Sequence, residues 1–225
     1  MTIKRRTVII VAGGKGERMN SAVPKQFLSL AGRPVLMHTI ELFLRFDAGC
    51  RILVVLPERE QQYWNELCDL HAFTVEHQLA TGGSSRFYSV KNGLALAPDE
   101  GLIAVHDGVR PLASLATIGN CFNAAELQGA AIPVTDAVES IRRLTETGSI
   151  AVDRTQYKLV QTPQVFEATL LKKAYNQQFS ELFTDDASVV EAFGHAVSLV
   201  PGNPENIKIT TPGDLLYAEV LINQQ

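Results

Sequence analysis

The chain has 225 residues, 46% of them apolar and 20% charged, with a formal net charge of −4. That supports one sizeable core and leaves too little chain for two large domains. With no basic stripe to set against an acidic balance, nucleic acid is not an expected partner. The three cysteines, Cys50, Cys68 and Cys121, are scattered and form no CxxC pair. Such a set fits reduced thiols and a cytoplasmic location. After the basic start MTIKRR, the apolar run Val8–Ala12 is too short for a signal-peptide core or a membrane span.

In chain order, the runs Thr7–Ala12, Arg51–Leu56, Phe73–His77, Leu102–His106 and Ala130–Val134 read as strands. Several are continuously apolar, as expected of parallel strands covered on both faces. Between them, Pro34–Phe46, Glu58–Leu70, Ser84–Ala97 and Leu115–Gln128 read as helices, with Ser84 or Ser85 as a cap for the third. The alternation predicts an α/β fold: an open, mostly parallel twisted sheet with helices on both faces, Rossmann-like, in a single domain spanning 1–225.

The alternation breaks after Pro133. Val138–Leu144 and Ile150–Arg154 read as two short strands joined through Glu146, Thr147, Gly148 and Ser149. A hairpin at about 137–157 with no helix to cover it buries little alone. It is expected to be an arm that packs against a second subunit, the alternative being an antiparallel edge of the main sheet. Beyond it come a strand at Lys158–Val160, helices near Ala168–Phe179 and Asp186–Phe193, a strand at Ala196–Val200 and a last helix from Pro212 to Asn223.

Directly after the first strand, Ala12 leads into Gly13, Gly14 and Gly16, followed by Arg18 and Lys25. In an open parallel sheet, ligands bind outside the carboxyl ends of the strands, and glycines let backbone N–H groups approach phosphate. A Walker loop requires GxxxxGK followed by Ser or Thr, which is absent. A dinucleotide fingerprint starting at Gly14 would need glycine where Met19 stands, which weakens an NAD-dependent dehydrogenase reading. The remaining pattern is a nucleotidyltransferase signature: Gly13, Gly14, Gly16, Arg18 and Met19, then Pro24, Lys25 and Gln26.

Beyond this loop stand GGSSRFYSV (82–90), HDGVRP (106–111), PVTDA (133–137), VDR (152–154), QTPQ (161–164), TDDAS (184–188) and NIKIT (206–210). In this order and spacing the chain resembles the 2-C-methyl-D-erythritol 4-phosphate cytidylyltransferases of the non-mevalonate isoprenoid pathway, over nearly its whole length. The resemblance implies a magnesium-dependent joining of CTP and a polyol phosphate, with pyrophosphate released, in a homodimer assembled through the hairpin. It implies catalytic roles for Arg18, Lys25, Arg154 and Lys208. For the nucleotide it implies Ala12, Gly13, Gly14, Gly16, Gly82, Gly83, Ser89, Asp107 and Gly108, with Asp107 also suited to magnesium held largely by the CTP phosphates. For the acceptor it implies Thr135, Asp136, Arg154 and Lys208, with Arg154 reaching across the dimer.

Arg86 reads as an ion-pair partner, and Glu205 as a residue that orders Lys208 or faces the metal. His106 reads as structural, since no second ligand stands at metal spacing. Where the family pattern has Thr, this chain has Ala137, so an acceptor contact is either missing or supplied elsewhere, by Thr135 or Ser140. That departure keeps ribitol 5-phosphate as an alternative acceptor.

Overall fold

A computed structural model describes residues 5–14, 19 and 23–223. Strands β1 (Arg6–Val11), β4 (Arg51–Leu56), β5 (Gln78–Thr81) and β6 (Leu102–Asp107) run parallel in the spatial order β5-β4-β1-β6. β11 (Gln164–Glu167) then lies antiparallel between β6 and β7 (Ala130–Asp136). β7 also takes β10 (Lys158–Val160) antiparallel and β12 (Ser198–Pro201) parallel. The small strands β2 (Ser29–Leu30) and β3 (Arg33–Pro34) pair with each other.

The continuous apolar runs follow from burial on both faces. On β1 and β4, Val8, Ile10, Ile52 and Val54 pack with α1 (Val35–Phe46), α2 (Glu58–Leu70) and α4 (Leu115–Gln128). The alternate residues Ile9, Leu53 and Val55 pack with α3 (Arg86–Leu96), α5 (Ala168–Ala174) and α6 (Asp186–Ala192). Each such side chain contributes about 1.5–3 kcal/mol by leaving water. A third cluster seats α7 (Pro212–Ile222) through Ala218 against Val109, Leu112 and Ile209. Caps fix the helix starts: Ser85 and Ser114 accept from Tyr88 N and Thr117 N, and Thr211 and Asp214 form a capping box.

Residues 73–77, expected as a strand, are not one; the ladder begins at Gln78 opposite Leu53. Their apolar pattern serves α2 instead. Phe73 packs on Trp64, with ring centroids 5.9 Å apart, and Trp64 Nε1 donates to His77 Nε2 at 2.9 Å. The helix expected to reach Phe179 stops at Ala174, whose carbonyl accepts from the Gln177 side chain. β8 (Arg142–Thr145) and β9 (Gly148–Ala151) form a two-stranded sheet that pairs with no strand of the main sheet. The antiparallel edge beside β7 is taken by β10 instead.

Candidate active site

The parallel strands end at Val11, Leu56 and Asp107, and a cavity of about 300 Å³ opens there. Its walls include Ala12, Gly13 and Gly14 after β1, Gly83 to Ser85 before α3, and Asp107 and Val109 after β6. Lys25, Ser89 and Lys208 line the same space. Gly16 and Arg18 lie outside the described residues. Gly82 lines an adjoining depression with Gly13 and Ser89, its N–H donating to Leu56 O at 2.8 Å.

Two glycines are required by close approach. A Cβ on Gly83 would stand 2.4 Å from Tyr88 Cβ, so only glycine lets the loop turn this tightly into α3. A Cβ on Gly108 would stand 2.7 Å from Ala12 Cβ. Gly108 therefore sits behind the wall: its N–H donates to Val11 O at 2.9 Å and lets the β6 loop pack on the β1 loop. Ser89 accepts from Gly83 N at 3.0 Å and donates to Ser85 O at 2.9 Å. Its hydrogen is spent on holding the loop, leaving acceptor capacity toward the cavity.

Lys25 opens a 3-10 turn, Lys25–Phe27, that the fold buries. Phe27 stacks on Trp64 and meets Tyr63 edge-on, while the fully buried Gln26 donates to Glu60 Oε2 at 2.7 Å. All three contacts come from α2, so that helix fixes the turn. The turn leaves Lys25 only 9% exposed and lays its side chain along Gly14, where an added Cβ would be 3.5 Å from Lys25 Cε.

Across the cavity, Asp107 Oδ2 takes both Lys208 Nζ at 3.1 Å and Arg110 Nε at 3.0 Å. Arg110 Nη1 also donates to Asn206 O at 2.7 Å. Burial opposes the charge on Asp107, but Lys208, Arg86 and Arg110 outweigh it and hold the carboxyl far below the usual range. Lys208 is placed by its neighbour Ile209, which is fully buried and donates its N–H to Val109 O at 2.9 Å. Glu205 accepts from Asn203 at 3.1 Å rather than ordering Lys208.

His106 is buried and its pKa is lowered to about 4 by desolvation. Its Nε2 faces Arg110 O at 3.0 Å and its Nδ1 faces Thr162 Oγ1 at 3.0 Å. A carbonyl can only accept, so the hydrogen sits on Nε2 and the Thr162 hydroxyl donates to Nδ1. Thr162 Oγ1 in turn accepts Asp107 N–H at 3.1 Å. His106 is thus structural, tying together the two ends of the Asp107–Arg110 turn.

A second cavity of about 310 Å³ shares Arg86, Asp107 and Lys208 with the first and adds Arg110, Thr162, Gln164 and Thr184. Arg110 and Thr162 were not singled out from the sequence. The available signals were their places in the HDGVRP and QTPQ segments; the contact of Thr162 with Asp107, 55 residues away, left no local trace. Thr135 and Asp136 line a separate hollow beside β10 and β12, where Asp136 pairs with Lys158. Arg154 begins a short turn after β9 and donates to Val138 O. The fold therefore gathers Lys25, Asp107 and Lys208 around one space, and within one chain leaves Thr135, Asp136 and Arg154 out of that cavity.

The sequence model for 2-C-methyl-D-erythritol 4-phosphate cytidylyltransferase matches residues 6–224. The chain belongs to that family. It is 58% identical over 218 residues to the protein of that name from Bacteroides thetaiotaomicron, covering 97% of this chain and 100% of the relative. Among solved structures, it resembles the 4-diphosphocytidyl-2C-methyl-D-erythritol synthase of Anaerococcus prevotii, with TM-score 0.82, 26% identity and coverage of 98% and 96%. It also resembles the Francisella tularensis cytidylyltransferase, with TM-score 0.79, 30% identity and coverage of 96% and 99%. Membership removes the dehydrogenase reading and makes the chain an α/β nucleotidyltransferase. Among the described residues, no helix is long and apolar enough to cross a membrane.

Proposed function

We propose that the chain transfers CMP from CTP to 2-C-methyl-D-erythritol 4-phosphate. A phosphate oxygen of the acceptor attacks the α-phosphorus, the bond to the β-phosphate breaks, and pyrophosphate leaves with the electron pair. One observation carries this reading: Lys25 and Lys208 line one cavity with the glycine loop at the carboxyl end of a parallel sheet.

The chemistry requires little acid–base help. The second pKa of a phosphate monoester is about 6, so the nucleophile is already dianionic at neutral pH. His106, neutral and bonded through both nitrogens, is not a base for it. What remains is to hold two repelling anions in line and to stabilise charge at phosphorus. Lys25 serves the α-phosphate, with Arg18 assigned beside it through its motif alone. Gly13 and Gly14 cradle the triphosphate, Gly83 and Ser89 face the nucleoside, and Ala12, Gly82 and Gly108 shape the loops around the nucleotide. Lys208 and Arg110 meet the acceptor in the adjoining cavity.

Magnesium fits this donor set. Among the described residues no cluster of three or more His, Cys, Asp or Glu forms a metal cage. Magnesium takes one or two carboxylates together with substrate phosphates. Asp107, at the cavity with Lys208 and Arg110 on its Oδ2, would be the carboxylate that holds the ion beside the substrate phosphates. When bound, magnesium supplies charge neutralisation at the triphosphate.

The acceptor half needs a second copy. Arg154, Thr135 and Asp136 stand away from the cavity of their own chain, on or beside a hairpin with exposed Val138, Leu144 and Ile150. A homodimer through that hairpin covers these side chains and delivers Arg154 to the partner's cavity. The free cysteines suit the cytoplasm.

Pyrophosphate release from CTP and Mg²⁺ tests the reading. Turnover is expected with 2-C-methyl-D-erythritol 4-phosphate. Turnover with ribitol 5-phosphate instead would overturn the acceptor, and none with either would overturn the transfer.

A further inference from the structure

Arg86, Asp107 and Lys208 are the residues that line both cavities. Asp107 and Lys208 hold each other. Arg86 is held from behind, by a residue one hundred positions away. Its Nη1 and Nη2 donate to the two oxygens of Asp186 at 3.0 and 2.6 Å. Asp186 is fully buried, whereas the Arg86 side chain keeps 29% of its surface open. Tyr175 OH donates to Asp186 Oδ1 at 2.6 Å, so the carboxylate has three fixed donors. Asp186 cannot drift, because Gln164 on β11 bonds both neighbours: its Nε2 donates to Asp185 at 2.8 Å and its Oε1 accepts Ala187 N–H at 2.9 Å.

A buried carboxylate carrying a two-point fork and a phenol is more than charge balance at a surface demands. The fork occupies one hydrogen on each terminal nitrogen, which leaves further guanidinium donors on a side chain that lines both cavities. We propose that Arg86 contacts the reacting ligands where the two cavities meet, and that Asp186, steadied by Tyr175, is the positioning residue that aims its guanidinium there. This inference rests on the cytidylyl-transfer reading. Because Asp186 matches its charge, Arg86 adds aimed donors to the site with no added net charge. An ammonium in its place would satisfy Asp186 at a single point and lose the aim.

The test compares kcat/KM for CTP and acceptor with melting curves, using wild-type turnover as the reference. Arg86→Ala is expected to lose about a hundredfold in kcat/KM, the scale of a misplaced ligand contact, and Arg86→Lys at least about tenfold. Adding guanidinium ion at non-denaturing concentration should restore a large part of the Arg86→Ala loss. It should restore little in the Arg86→Ala, Asp186→Asn double variant, since the seat for the ion is gone. If that double variant does not fold, Arg86→Ala with Tyr175→Phe takes its place, with rescue weakened severalfold. Equal rescue with and without the seat would overturn the positioning role. Arg86→Lys at the wild-type rate, with only its melting temperature lowered, would overturn the ligand contact. Wild type that releases no pyrophosphate overturns the transfer reading and this inference with it, whereas a failed rescue pattern in an active enzyme overturns the inference alone.

Discussion

Around the cavity at the strand ends, Lys25 and Asp107 are buried, while Lys208 stays exposed. Gln26 is fully buried, Asp107 carries two cations on one oxygen, and the Lys25 turn is seated on three residues of α2. Along the hairpin the reverse holds: every residue of β8 is exposed, Leu144 is 83% exposed, and Arg154 bonds back to Val138 at the hairpin's own base. The described side chains of the first region are held by neighbours within the chain. The second is a ribbon whose two strands pair only with each other. A two-stranded ribbon is marginal by itself, so the contrast separates a region braced by its own chain from one that draws little support from it.

The largest effect should come from the buried half. Lys25→Ala is expected to lower kcat about a thousandfold, as when one preorganised charge stabiliser is removed. The side chain borders the cavity, so the circular-dichroism melt should move little. An unchanged rate would remove Lys25 from the chemistry.

Next comes a pH effect that the hairpin should not share. Buried His106 has its pKa lowered to about 4, against about 6.5 in an unfolded chain. Below pH 6.5 the unfolded chain takes up a proton that the folded chain refuses. Stability should therefore decline from pH 6.5 toward 4 and level there, by about 3 kcal/mol from this group. His38, also lowered by burial, acts in the same direction. Denaturant titrations at several pH values should show a shallower decline in His106→Gln; an identical decline would contradict the assignment.

The smallest effect belongs to the exposed half. Arg154→Ala should raise KM for the acceptor about tenfold, equivalent to roughly 1.4 kcal/mol, while KM for CTP stays near wild type. A matching rise for CTP would place Arg154 in the nucleotide half.

The same division governs what the sequence makes legible. Strand Arg51–Leu56 and helices Glu58–Leu70 and Leu115–Gln128 fall where their apolar patterns place them, because local pattern and burial agree there. Gly13, Gly14, Lys25, Asp107 and Lys208 were readable because each stands in a dense motif at a strand end or beside a buried anchor. Tertiary pairing hid the rest. Gln164–Glu167 becomes a strand only through the slot between β6 and β7. Residues 73–77 have strand-like composition, yet their rings are claimed by Trp64. The partnership of Arg86 with Asp186 spans one hundred positions and leaves no periodic trace. The hairpin was readable as a hairpin from its turn.

Completion of the acceptor half by a second copy is tested most directly by mixing two crippled proteins. Lys25→Ala and Arg154→Ala homodimers are combined and left to exchange subunits, and pyrophosphate release is followed at low acceptor concentration. If Arg154 serves the partner's cavity, each mixed dimer carries one site with both defects and one with neither, and the mixture should recover about a quarter of wild-type activity for a two-fold dimer. If exchange is verified and activity stays at the average of the two variants, Arg154 does not complete a partner's site.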